Sequence, residues 1–306
     1  MTDERKLDQA ARAAWLSYVA GRKQDEIAQE MGVSRQTAQR LVAQAMAAGL
    51  VKVRIDHPLS GCFELEKALQ QKFALKKVVV TPGEAGKAGV AIAVAEFIES
   101  QLQQSDPITL AIGTGRTLSA GVAQMSRRDC PQHRIVSLTG NISPDGSTAF
   151  YNVLFSLSDV VTARTFPLMV PVISTTKEER DALHRQPGNT RVIEMARNAD
   201  TALIGLGSMG PEAPLAQDGF MTPAEVRALR DQGAAGEMLG RSYDIDGNFL
   251  PMDGRVASCQ LPDPDRALVI AAAGGPEKVD PIRGALRSGV INGLITDETT
   301  AKSLLE

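Results

Sequence analysis

Between residues 24 and 47 the apolar positions of this chain recur at helical spacing, in two short runs separated by a glycine. Ile27, Ala28 and Met31 form the first stripe. Gly32 breaks it, because a tight turn commonly needs a positive φ that glycine adopts at little cost. Ser34 then stands where a helix N-cap is expected, its hydroxyl able to accept from an amide two or three residues on. A second helix follows, burying Thr37 or Ala38, then Leu41 and Val42. Two short helices joined at such a turn predict a helix-turn-helix, whose second helix enters the DNA major groove. Its solvent face carries Arg35, Gln36, Gln39 and Arg40. Arginine pairs with guanine and phosphate, glutamine with adenine. With Ser34 and Thr37 at the helix start, these are the candidate DNA contacts.

On either side the pattern completes a small module over residues 1–58. Residues 6–20 predict a helix with Leu7, Ala11, Ala14, Trp15 and Tyr18 along one side, the sole tryptophan packing under the helix pair. Gly49 caps the recognition helix, and residues 50–55 alternate apolar and polar like a short strand. The expectation is a winged arrangement in which Lys52 and Arg54 touch phosphates; a plain edge strand is the alternative. Residues 62–73 are helical and heptad-like in Leu65, Leu69 and Phe73, a connector or a dimer contact.

From there to residue 306 strands and helices alternate. Apolar runs at residues 77–80, 108–112, 134–138, 160–165, 202–206 and 267–272 predict strands, and residues 88–103 an alanine-rich helix. Short buried runs separated by helical stretches argue for a parallel sheet with helices on its faces, a doubly wound α/β domain over residues 59–306. Ligands of such sheets bind beyond the C-terminal ends of the strands, so the chemistry is sought there.

Composition narrows the reading. With 306 residues and 43% hydrophobic content, the chain suits a small module plus a larger one with a real core. The net charge of −3 excludes a general polyanion binder. Through Pro58 nine Lys and Arg face seven Asp and Glu, while the remainder holds 24 against 29. A weakly basic head on an acidic body fits recognition by a few placed residues. The three cysteines, Cys62, Cys130 and Cys259, have no metal-ligand spacing and read as reduced thiols of a cytoplasmic protein. Neither a signal peptide nor a membrane-length apolar run is evident, and no cofactor or metal is expected.

Several strand ends carry polar candidates. Gly113-Thr114-Gly115-Arg116-Thr117 follows a strand and opens a helix, so backbone amides, two hydroxyls and a guanidinium converge. It reads as an anion cradle, with a tight structural turn as the alternative, and it lacks the Gly-Lys-Ser/Thr of a Walker loop. Gly205 to Gly210 matches a dinucleotide fingerprint in letters only. Pro211 and Pro214 fall where a helix should begin, so an irregular loop near the same ligand is expected. Asp244 and Asp246 follow a strand in GEMLGRSYDIDG, as a metal site, turn formers or partners of sugar hydroxyls. Gly275 and Lys278 follow another strand, Lys278 within reach of the cradle or merely on the surface, and Asn141 ends a third. His57, His133 and His184 form no triad, and no nucleophile elbow is present.

The head, AAWLSYVAGRKQDEIAQEMGVSRQTAQRLVAQAMAAGLVKVRI, resembles the DNA-binding end of the SorC family of sugar-responsive bacterial regulators. IGTGRTL, AAGEMLGRSYDIDG, AAAGGPEKVDPIRGAL and INGLITDETTA resemble that family's effector-domain motifs in the same order, over nearly the whole chain. The resemblance implies an effector domain of the sugar-phosphate isomerase type that binds a sugar, a polyol or their phosphate. It also implies a homo-oligomer, usually a tetramer, on palindromic double-stranded operators of a carbohydrate or polyol operon. By motif, Gly113 to Thr117 would hold the phosphate or sugar end, Lys278 would assist, and Asp244 and Asp246 would lie near hydroxyls. Leu138-Thr139-Gly140-Asn141 departs from the Asn-Gly-Gly-like run of many relatives, and no lysine ends that strand to form an imine. The expected function is transcription regulation without catalysis. The rivals are a sugar-phosphate isomerase or deaminase-like enzyme with a regulatory head, and a scaffold whose head binds protein.

Overall fold

A computed structural model of the chain describes residues 3–51, 60–143, 146–147, 151–251 and 254–306, without the side chains of residues 3–5 and 60. It divides into two compact units, Met1–His57 and Pro58–Glu306.

The head holds α1 (Asp3–Tyr18), α2 (Gln24–Met31) and α3 (Arg35–Ala47). Gly32 ends α2 at φ 65°, the left-handed conformation that the turn requires. Ser34 caps α3, its Oγ accepting from the Thr37 amide at 3.1 Å and lying 2.8 Å from the Thr37 hydroxyl. At the other junction the Lys23 amide donates to the Glu26 carboxylate at 2.7 Å. The choice between Thr37 and Ala38 falls to Ala38, fully buried beside Leu41, Val42 and Ala45.

One expectation is corrected here. Trp15 does not pack under the helix pair: it is 57% exposed, with Leu7 and Tyr18 also on the outside. The inward face of α1 is instead Ala10, Ala13, Ala14 and Leu16, set against Ile27, Ala38 and Ala45. Small side chains let α1 and α3 approach closely, and an indole would hold them apart. The wing expectation, with Lys52 and Arg54, lies outside the described residues.

The body begins with α4 (Ser60–Phe73), which packs Cys62 and Leu69 into the core against β1 (Lys77–Thr81). There follow α5 (Gly86–Leu102), β2 (Thr109–Ile112), α6 (Arg116–Val122), β3 (Arg134–Ile142), α7 (Val153–Ser158) and β4 (Arg164–Pro171). Next come α8 (Lys177–His184), α9 (Pro187–Arg197), β5 (Thr201–Gly205), β6 (Gly207–Ser208), α10 (Pro214–Gln217) and α11 (Pro223–Asp231). The chain closes with β7 (Ala234–Met238), β8 (Arg241–Asp244), β9 (Leu268–Ala272), α12 (Val279–Arg287), β10 (Gly293–Asp297) and α13 (Glu298–Leu305).

Seven strands form one parallel sheet in the order β1-β10-β9-β5-β2-β3-β4. Alternate residues feed its two faces. Ala111, Ala202, Ile204, Val269 and Ala271 join one core cluster with α4, α9, α12 and α13. Leu110, Ile112, Leu203, Ile270 and Ala272 join the other with α5, α6 and α7. This is the doubly wound α/β arrangement expected. Two strand assignments differ from the sequence pattern. Of the run at 160–165 only Arg164 and Thr165 belong to a strand, β4, which extends to Pro171, while Val161 forms a single bridge to Arg128. A further strand, β10, lies beyond the last expected one, buried at every position between β1 and β9. From β2 to β4 the chain steps outward one way, and from β5 through β9 to β10 the other. The order thus reverses between β2 and β5, where a crevice opens at the strand ends. A small antiparallel sheet, β6-β7-β8, stands beside that crevice.

Candidate functional site

The crevice is a cavity of about 1230 Å³ walled by the segments that leave β2, β5 and β9 and by β7. That is ample for a sugar-sized ligand with its water, ligand pockets commonly spanning about 300–1,000 Å³. Thr114, Gly115, Arg116 and Thr117 line it at the start of α6, Lys278 lines it before α12, and Thr139 reaches it from β3. Gly205 to Gly210, expected as an irregular loop, lines it too; the stretch includes the short strand β6, and no helix starts among its glycines.

Three of these side chains, Thr114, Arg116 and Lys278, are already engaged. The Thr114 hydroxyl donates to the Tyr151 carbonyl. Arg116 lies over the Tyr151 ring, donates from Nε to its hydroxyl at 2.9 Å, and reaches Gln217 and Asp218 at 3.0 Å each. Lys278 donates from Nζ to the Leu206 carbonyl at 2.7 Å. Burial lowers its affinity for the proton, and the carboxylates of Glu237 and Glu277 oppose that shift.

Glu237 is the group that sequence reasoning missed. The alternation of β7 buries Gly236 and Met238 and turns Ala235 and Glu237 to the cavity, which Ala234 at the irregular start of the strand also lines. Its Oε2 accepts from the Gly240 amide at 2.9 Å. Burial raises its pKa, against the Gly240 bond and the Lys278 charge. Gly207 pairs with Glu237 across the β6–β7 ladder, and a Cβ there would displace the Glu237 side chain from its place. Asp218 was missed as well. Burial raises its pKa, and Arg116 opposes the shift. The signals were slight: an alternating run inside GEMLGR, and an Asp-Gly step that reads as any turn.

Other expected site residues lie elsewhere. Asp244 Oδ1 accepts from the amides of Asp246 and Asn248 at 3.0 and 2.9 Å, and Asn248 holds its carboxyl below the usual range. Asp246 pairs with Arg287 at 3.2 Å. Both aspartates are therefore in a turn of β8, and neither lines the cavity. Asn141 is buried and donates to the Leu168 carbonyl at 3.0 Å. The register of β3 against β4 shifts around Gly140, whose bare Cα lets the Val170 and Pro171 carbonyls come close. Thr139 rather than Asn141 then lines the cavity. The Gly275 amide donates to Asp297 and Thr300 at 2.8 and 2.9 Å, and Gly113 bonds back into the sheet through Leu203. No group of metal-binding side chains occurs among the described residues.

In the head, Arg35, Gln36, Gln39 and Arg40 are all exposed on one stretch of α3. Arg35 pairs with Asp25 at 3.4 Å, with both side chains 71% exposed, so the contact is worth little. Ser34 and Thr37 are occupied in the helix cap.

Residues 57–306 match the model of a sugar-binding domain family, Sugar-bind. The chain is 36% identical to the erythritol catabolism regulatory protein EryD of Brucella abortus, over 97% of this chain and 96% of that one. The chain belongs to the SorC family of sugar-responsive transcriptional regulators. It is 29% identical to the transcriptional regulator LsrR of an Enterobacter species, over 96% of this chain and 92% of the relative. The full-length sorbitol operon regulator SorC from Klebsiella pneumoniae superposes with a TM-score of 0.74 at 24% identity, covering both chains completely. At that identity the likeness is one of fold. No described helix of this SorC-family chain is long and apolar enough to cross a membrane.

Proposed function

We propose that residues 1–58 bind operator DNA, and that residues 59–306 bind a sugar, polyol or sugar-phosphate effector and assemble the oligomer. The observation that carries this is the cavity itself, set where the strand order reverses and walled by polar groups from four separate segments. In the head, α3 offers Arg35, Gln36, Gln39 and Arg40 to base edges and phosphates, positioned by the Ser34 cap. Lys52 and Arg54 belong to the same proposal. The chain acts as a homo-oligomer, since linked heads on two half-sites bind more tightly than one. Leu7, Trp15 and Tyr18 provide exposed apolar surface on the head that contacts between copies would cover. It works in the cytoplasm, in keeping with three buried free thiols, the Cys259 pKa pushed up to about 12 by burial.

Effector binding changes operator affinity only through its differential affinity for two arrangements of the protein. The test is Gly207→Val, which fills the cavity wall beside Glu237. Operator affinity without effector is expected to stay near wild type, while the response to effector disappears. A full response in a folded variant would move the effector site elsewhere. A second reading, a sugar isomerase, draws on Glu237 and Lys278 as a candidate acid–base pair on the cavity wall. Sustained turnover of a sugar or its phosphate by the purified protein would favour it over regulation alone.

A further inference from the structure

The cavity contains cations, and its outline suggested an anion cradle. Its charges are already balanced. Arg116 lies against Asp218 at 3.0 Å, and Lys87 against Glu277 at 3.0 Å. Lys278 spends a hydrogen bond on the Leu206 carbonyl and sits in the field of Glu237. The other ionisable groups on the wall add no positive excess: Arg230 and Glu212 are exposed, and Asp280 pairs with Arg283.

A phosphate monoester brings nearly two negative charges and only acceptor oxygens at neutral pH. It needs donors with no carboxylate beside them. Here Arg116 has Asp218 against it, Lys278 stands in the field of Glu237 and Glu277, and the exposed Lys87 has Glu277. A hydroxyl differs, because it donates and accepts at once. It can give its proton to Glu237 or Asp218 while accepting from Lys278 or Arg116. Alternating donors and acceptors around a cavity therefore suit a polyhydroxylated, uncharged molecule. Helix α6, two turns long, adds only a fractional positive end.

Resting on the reading of this cavity as the effector site, we propose that the effector is an unphosphorylated polyol or sugar. Its hydroxyls bridge the Glu237–Lys278 and Asp218–Arg116 pairs. Asp218 and Glu237 are then the residues that select against the phosphate ester.

The experiment is a thermal-shift and titration series on the full-length protein. The probes are straight-chain polyols and aldoses, their monophosphate esters, and inorganic phosphate. A neutral member is expected to raise the melting temperature, and its ester to bind at least tenfold more weakly. Inorganic phosphate is expected to produce no shift. Asp218→Asn, which frees the Arg116 charge, is expected to weaken the neutral ligand about tenfold and to strengthen the ester. An ester that binds wild type more tightly than its parent overturns the proposal. So does a series in which no neutral member binds at its highest soluble concentration. The same probes on Gly207→Val separate the two layers of the argument. Neutral-ligand binding that survives in that folded variant overturns the cavity assignment itself. Ester binding that prevails in wild type and is lost in the variant leaves the cavity standing and removes only the charge selection.

Discussion

The polar face of α3 and the wall of the cavity are built from similar residue types and left in opposite states. On α3, Gln36, Gln39 and Arg40 are exposed and make no side-chain bond among the described residues. In the cavity, Arg116 is paired with Asp218 and bonded to Gln217 and Tyr151, and Lys278 is held by the Leu206 carbonyl in the field of Glu237 and Glu277. The difference follows from solvation. Water screens an exposed arginine at little cost, so it can wait for a phosphate or a base edge. Lys278, drawn into the cavity wall, loses much of that screening, and the carboxylates of Glu237 and Glu277 offset the loss. An uncommitted surface thus suits a polyanion, and a committed one suits a ligand that can slip between paired charges.

The largest expected effect tests the open side of this comparison. Gln36→Ala together with Arg40→Ala should cost about 1–3 kcal/mol per lost base contact. Combined, operator affinity would fall about a hundredfold in fluorescence anisotropy, with the melting temperature unchanged because neither side chain is buried. Wild-type affinity in the double variant would take recognition away from α3.

Ser34→Ala is expected to be smaller and of another kind. It removes the acceptor for the Thr37 amide, a loss of about 1 kcal/mol of head stability. Weaker operator binding should accompany an undisturbed effector titration. Altered effector affinity in that variant would show that the two functions share more than the chain connecting them.

The smallest effect is a pH dependence in the body. His184 places Nε2 3.3 Å from the Ala257 carbonyl, and burial holds its pKa below the usual histidine range against the pull of that carbonyl. A group whose folded pKa is depressed contributes stability above its unfolded pKa, and the contribution is lost as pH falls. Melting temperature should therefore decline from about pH 7 to about pH 5, with a shallower slope in His184→Gln. Equal slopes would assign the acid sensitivity to other groups.

How much of this was legible in the chain differs between the same two regions. The helix-turn-helix was, because its turn glycine, its cap and its apolar stripes are local, spaced within single helical turns. Even there Trp15 misled. A large aromatic on an apolar stripe reads as core, and only the close approach of α1 to α3 through alanines puts it outside. In the body, the strand–helix alternation and the loop at Gly113 to Thr117 were readable for the same local reason. Strand β10 was not, since its short apolar run carries no period of its own and becomes a strand by lying between β1 and β9.

By itself, then, the sequence determined the two-part organisation, the alternating class of the larger part, the exposed face of α3 and the family likeness. All of these are written in spacing along the chain. Which strand ends meet was decided only in three dimensions. The reversal of strand order brings residues from β2, β5, β7 and β9 to one cavity, sets Glu237 and Lys278 on its wall and Asp218 against Arg116, and leaves Asp244 and Asp246 in a turn of their own. Charge balance is a property of neighbours in space. No local pattern encodes it, because the partners that neutralise one another stand from some forty to nearly two hundred residues apart.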